Sequence, residues 1–208
     1  ADPLPGPAYR IETPRLVIRC YEPADAPLLA ASICESLDHL RPWMPWARYE
    51  PESLESRIQR LRRYRSDFDA DRDYTYGIFD RSESMVLGGT GLHSRTIDDA
   101  REIGYWINVN HLNKGYATEA SAALVRVGFE VNRLPRIEIH CDPENVRSAA
   151  IPRKLGFIHE ATLRSRSSRS DGSPRDTMIW SMFREAYLSS PARQLEIAAF
   201  DVVGQRLL

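Results

Sequence analysis

The chain has 208 residues, 42% hydrophobic and 27% charged, with a formal net charge of −1. These values fit one well-filled globular domain and give no reason to expect nucleic acid or an anionic membrane as a partner. The three cysteines, Cys20, Cys34 and Cys141, have no His or Cys at metal-ligand spacing, so no metal is expected and a reducing cytoplasm fits best.

The start, Ala-Asp-Pro-Leu-Pro-Gly-Pro, shows no basic segment followed by an apolar one. No run elsewhere approaches the roughly 20 apolar residues of a membrane span. The β-branched run Leu16–Tyr21 predicts a strand, and Glu22-Pro-Ala-Asp25 offers proline in the first turn of a helix over 26–37. Two prolines in Arg41-Pro-Trp-Met-Pro-Trp46 predict a non-helical connection. Leu54, Ile58, Leu61 and Phe68 restore helical spacing over 52–71, with arginines on the solvated face.

Strand-length segments follow at Tyr74–Phe79, Met85–Leu92 and Glu102–Val109. The polar turns Asp80–Glu83 and Arg95–Asp99 separate them, which predicts an antiparallel meander. A helix over 115–132 puts Ala117, Ala120, Leu124, Val127 and Val131 on one face, and Arg136–Cys141 alternates as a strand. If both strands of 102–141 share a sheet, the crossover is parallel and right-handed. A second helix, about Asn145 to Leu155, closes on Gly156. The strands Phe157–Ser165 and Pro174–Phe183 then flank the hairpin signal Asp171-Gly172. The tail 186–208 is only weakly amphipathic.

The most informative stretch is Gly104–Ser121, a strand passing through a glycine turn into a helix. Unpaired N–H groups of a first helical turn, together with the helix dipole, hold an anion by backbone alone. Lys114 adds mobile positive charge there, and it is one of only two lysines, with Lys154, among 28 basic residues.

Several segments together resemble the GNAT acyltransferases, and within them the RimJ/RimL branch that acetylates protein N-terminal amines. They are Thr13-Pro-Arg-Leu16, Arg41–Trp46, Glu102-Ile-Gly-Tyr-Trp106, Lys114-Gly-Tyr-Ala-Thr-Glu-Ala120, Asn145-Val-Arg-Ser148 with Lys154-Leu-Gly-Phe157, and Arg175-Asp176. The resemblance implies an α+β, three-layer fold: a mixed, mostly antiparallel sheet of about seven strands, helices on both faces, and a splayed parallel pair. It implies a single domain over 9–187, with 188–208 as a C-terminal extension, existing as a monomer or homodimer.

The same resemblance implies acetyl-CoA as donor and a primary amine as acceptor, with direct transfer in a ternary complex. Backbone groups of Ile107, Asn108 and Val109 would bind the pantetheine arm. Asn113, Lys114, Gly115, Tyr116, Ala117 and Thr118 would wrap the pyrophosphate, and the Asn145 amide would reach the arm. Glu102 matches the family's glutamate base, and Ser148 a serine near the thioester sulfur. Trp43, Trp46 and Tyr105 would line the acceptor pocket; alternation puts Tyr105 and Trp106 on opposite faces, so at most one of that pair faces the groove.

This chain departs from the family pattern at Leu112, where a polar donor is usual, and at Pro152, where many members carry a tyrosine acid. Other readings of the same residues are weaker. Gly88-Gly-Thr-Gly91 has no helix after it, Glu138 and His140 lack a third ligand, and Arg164–Ser170 reads as a solvated turn or a contact for an acidic acceptor or the CoA 3′-phosphate. An enzyme detoxifying an antibiotic or small amine, or a non-catalytic CoA-binding protein, are the alternatives of the same fold.

Overall fold

A computed structural model describes residues 7–95, 100–169 and 171–208. The elements are β1 (Arg10–Glu12), β2 (Leu16–Cys20), α1 (Ala26–Leu40), α2 (Leu54–Asp69), β3 (Tyr74–Asp80), β4 (Val86–His93), β5 (Arg101–Ile107) and α3 (Tyr116–Glu130). After these come β6 (Arg136–Cys141), α4 (Val146–Leu155), β7 (Ile158–Ser168), β8 (Pro174–Phe183), α5 (Arg184–Tyr187) and β9 (Ala198–Phe200). They form one sheet of nine strands in the order β7-β8-β6-β5-β4-β3-β2-β1-β9. Every neighbouring pair is antiparallel except β5 and β6.

Alternation along the strands sorts the core into two layers. Leu16, Ile18, Leu92, Ile103, Ile137 and Ile139 pack with Leu124, Val127 and Phe129 of α3, whereas Val17, Phe79 and Val86 pack with Leu29 and Ile33 of α1 and Leu61 of α2. A fully buried side chain of this kind contributes about 1.5–3 kcal/mol, so helices are held on both faces. Among the described residues, no helix is long and apolar enough to cross a membrane.

The sheet has two strands more than the seven expected, and both lie at one edge. β1 pairs with β2 on one side and β9 on the other. The segment 188–208, set apart as an extension, therefore completes the sheet: Ala199 is fully buried, and the Leu207 N–H donates to the Ala199 carbonyl at 2.7 Å. A three-residue Ala-Ala-Phe strand carries too little alternation to be seen in sequence. The Arg41–Trp46 connection runs into a short 3-10 turn over Pro45–Tyr49, where proline occupies the first position. Thr96–Asp99 of the predicted Arg95–Asp99 turn, and Ser170 of the arginine run, lie outside the described residues.

Candidate active site

The α3 start is built as an anion cradle. Asn113 and Gly115 take left-handed φ values of 61° and 79°, which turn consecutive N–H groups the same way. The first N–H to bond back into the helix is that of Glu119, to the Gly115 carbonyl at 3.0 Å. Among the described residues, no acceptor meets the N–H groups of 113–118. The Lys114 Nζ stands exposed, 3.3 Å from His111 Nδ1. Glu119 clamps the loop to the opening strand, accepting from Thr13 Oγ1 at 2.6 Å and from Arg15 Nε at 2.6 Å, while Arg15 Nη1 donates to the Lys114 carbonyl at 2.7 Å. This is the use of Thr13-Pro-Arg-Leu16. The adjoining cavity, about 580 Å³, also receives Arg147 and Lys154 against a single acid, Glu144. Unpaired N–H groups and surplus positive charge fit the pyrophosphate and phosphate of a CoA thioester.

From this cradle the cavity reaches the gap in the sheet. β5 and β6 are in register only at Arg101–Ile137 and Glu102–Glu138, and separate beyond that. The Asn108 N–H donates to the Leu87 carbonyl on β4 at 2.8 Å. By alternation, the backbone groups of Tyr105 and Ile107 therefore point into the open gap. At the two other expected pantetheine positions the N–H groups are already used. The Asn108 N–H is spent on β4, and the Val109 N–H donates to Ser36 Oγ at 3.0 Å. The strand stops at Ile107 because Asn108 caps a short 3-10 turn, its side-chain oxygen accepting from Asn110 N–H at 2.8 Å and its amide donating to Ser32 Oγ at 3.0 Å and to Glu35 at 2.8 Å.

Asn145 caps α4, its side-chain oxygen accepting from the Ser148 N–H at 3.1 Å. Ser148 Oγ donates to the Tyr105 hydroxyl at 3.2 Å, and that hydroxyl donates to the Ser148 carbonyl at 2.8 Å. Burial pushes the Tyr105 phenol well above the ordinary tyrosine value, against the lowering effect of its hydrogen bond with Ser148, so it stays protonated at neutral pH. Tyr105, Ser148, Asn145 and Trp43 border the cavities on both sides of the gap.

The second cavity, about 430 Å³, lies on the α1/α2 face. One wall is Trp46 packed edge-to-face on Trp106, with ring centres 6.1 Å apart. Trp106 rather than Tyr105 stands on this face; Tyr105 reaches the cavity through the gap. The loop carrying Trp43 and Trp46 is anchored by a buried ion pair, Arg57 donating to both Glu50 oxygens at 3.1 and 2.6 Å, and by Arg175 donating to the Trp43 carbonyl at 3.1 Å. None of Arg164–Arg169 lines either cavity. Arg169 pairs instead with Glu144 at 2.9 Å.

Register lines up a row of polar residues across this face. His93 stands opposite Glu102, and Glu102 beside Glu138. His93 Nδ1 lies 2.8 Å from Asp73; His140 lies 3.5 Å from Glu102 through Nδ1 and 2.7 Å from Glu138 through Nε2. Arg95 approaches the other Glu102 oxygen at 3.7 Å. Among the described residues, no three such groups converge to hold a metal ion. Sequence reading found Glu102 and missed Asp73, His93 and His140 as its company. Their only local signal was alternation, which put Glu138 and His140 on one face.

A sheet opened this way takes a CoA thioester from one face and an amine from the other, the arrangement of an acyltransferase. The chain belongs to the GNAT acetyltransferases: the acetyltransferase (GNAT) domain matches residues 15–158. It is similar to the uncharacterised N-acetyltransferase YoaA of Bacillus subtilis, 29% identical over 84% of this chain and 96% of that protein. It is also similar to the ribosomal protein uS5-alanine N-acetyltransferase of Escherichia coli, 29% identical over 74% of this chain and 80% of that one. Its fold matches RimL, a ribosomal L7/L12 α-N-protein acetyltransferase solved with coenzyme A, at a TM-score of 0.76 and 19% identity over 84% of this chain and 97% of that one. The chain is an acetyl-CoA-dependent N-acetyltransferase.

Proposed function

We propose that the acceptor is the α-amine of a protein N-terminus, and that a cytoplasmic setting goes with it. The observation that carries this reading is the floor of the acceptor cavity. Gly89 and Gly104 line it between the Trp46–Trp106 wall and the Glu102 row, Gly89 beneath the Trp106 indole and Gly104 half-buried, a slot for the extended end of a chain. The E. coli relative named for uS5-alanine supports alanine as a first residue to try.

In this reading Asn113 and Lys114–Thr118 hold the pyrophosphate, with Arg147 and Lys154 near the remaining phosphate. The backbone of Ile107, joined by that of Tyr105, binds the pantetheine arm, and the Asn145 side-chain amide has its N–H₂ left to reach it. Acetyl-CoA supplies the activated acetyl group. Trp43 and Trp46, with Trp106, border the acceptor. Glu102 draws in the ammonium and anchors removal of its proton. Ser148, backed by the protonated Tyr105, returns a proton to the departing thiolate in place of the tyrosine that Pro152 replaces. Burial pushes the nearby Cys141 thiol up to about 11, so it stays a thiol and supports direct transfer over a cysteine-bound route.

The test is CoA-thiol release from acetyl-CoA with an alanine-starting peptide, the same peptide blocked at its N-terminus, and a panel of small amines. The reading expects acetylation of the free α-amine, located by mass spectrometry. Turnover of small amines with none of the peptide would refute it.

A further inference from the structure

Glu102 is not the group best placed to touch the acceptor. Its carboxylate is already approached by Arg95 at 3.7 Å and His140 at 3.5 Å. His140 has Nε2 held by Glu138 at 2.7 Å and Nδ1 facing Glu102 at 3.5 Å. His93 differs: its Nδ1 is held 2.8 Å from Asp73, and among the described residues its Nε2 has no hydrogen-bond partner.

The ring also leans the right way. A Cβ at Gly91 would collide with His93 Cε1 and Nε2, and one at Gly104 would sit 3.8 Å from Nε2. The imidazole therefore lies over the Gly91–Gly104 pair, two residues, or about 7 Å, further along β5 toward Ile107 than Glu102. Glycine beneath makes room for it. Burial pushes the Asp73 carboxyl up, but hydrogen bonds from His93 and the Ser94 N–H outweigh it and hold it below the usual range. Asp73 is thus ionised and only accepts, so Nδ1 carries the hydrogen and a neutral ring keeps its lone pair on Nε2.

We propose that His93, oriented by Asp73, meets the acceptor amine in the slot and takes its proton, a role that rests on the acetyl-transfer reading and adds the contact residue to it. The ammonium proton passes to Nε2. The freed amine forms its bond to the acetyl carbon as the carbon–sulfur bond breaks, the thiolate takes the Ser148 proton, and the second N–H proton shed as the amide forms restores Ser148, leaving the amide, CoA thiol and protonated His93. Asp73 and the facing Glu102 stabilise the imidazolium. Asp73 is a positioning residue.

The experiment measures acetyl transfer from acetyl-CoA to an alanine-starting peptide by His93→Ala and His93→Gln, each with and without added imidazole. The kcat of both falls about 100-fold, the size of a lost general base, while KM for acetyl-CoA holds. Imidazole rescues His93→Ala with saturation, and His93→Gln, whose side chain fills the slot, responds less. A wild-type kcat in either variant, or a His93→Ala enzyme that imidazole does not rescue, overturns the proposal and leaves the acetyl-transfer reading standing. A wild-type enzyme that released no thiol with any amine would overturn both.

Discussion

In the proposed site, the α3/α4 face offers a charged partner backbone: left-handed Asn113 and Gly115, the bare N–H groups that follow, and strand edges at Tyr105 and Ile107. On the α1/α2 face, the proposed chemistry rests on side chains: Asp73 just before β3, His93 on β4, Glu102 on β5, and Glu138 and His140 on β6. A backbone site asks little of side-chain identity, which is how Leu112 can stand where the family keeps a polar donor. A side-chain site demands exact register, because a one-residue slip would turn the whole row to the other face.

That difference predicts opposite sensitivities. The largest effect is expected at Arg57→Ala, which leaves Glu50 buried and uncompensated behind the tryptophan loop. Loss of about 3–5 kcal/mol is expected by urea unfolding, since removing one partner strands the other charge. Next comes Glu102→Gln, for which steady-state rates should show kcat falling about 100-fold with acetyl-CoA binding intact.

Gly115→Ala tests the backbone side. Its φ of 79° costs a non-glycine residue about 1–2 kcal/mol, so acetyl-CoA should bind about tenfold more weakly while kcat at saturation stays near wild type. The smallest effect belongs to Lys114→Ala. An exposed lysine contributes about 0.2–1 kcal/mol, so affinity should fall only a few-fold, and less still at high salt.

The same contrast explains what was legible in the sequence. The proposed cofactor cradle lies in one contiguous run, Asn113–Thr118, and its glycine turn into an amphipathic helix is a local signal. The order of strands and helices was equally readable, because alternation and helical spacing are local too. The proposed acceptor row exists only through the pairing of β3, β4, β5 and β6, so His93 and Asp73 had no signature, and Glu102 was visible only through a family resemblance. Asn108 and Val109 were misread as strand because Asn108's second role, capping the 3-10 turn, ends β5 early. The β9 edge was hidden by its length.

The most direct test of this division is an equilibrium titration of acetyl-CoA into the wild type, Gly115→Ala, Lys114→Ala and Glu102→Gln. Gly115→Ala should bind most weakly, Lys114→Ala slightly below wild type, and Glu102→Gln as wild type. If Glu102→Gln weakened binding as much as Gly115→Ala, or if Lys114→Ala abolished it, the cofactor would be held by side chains and the account would be wrong.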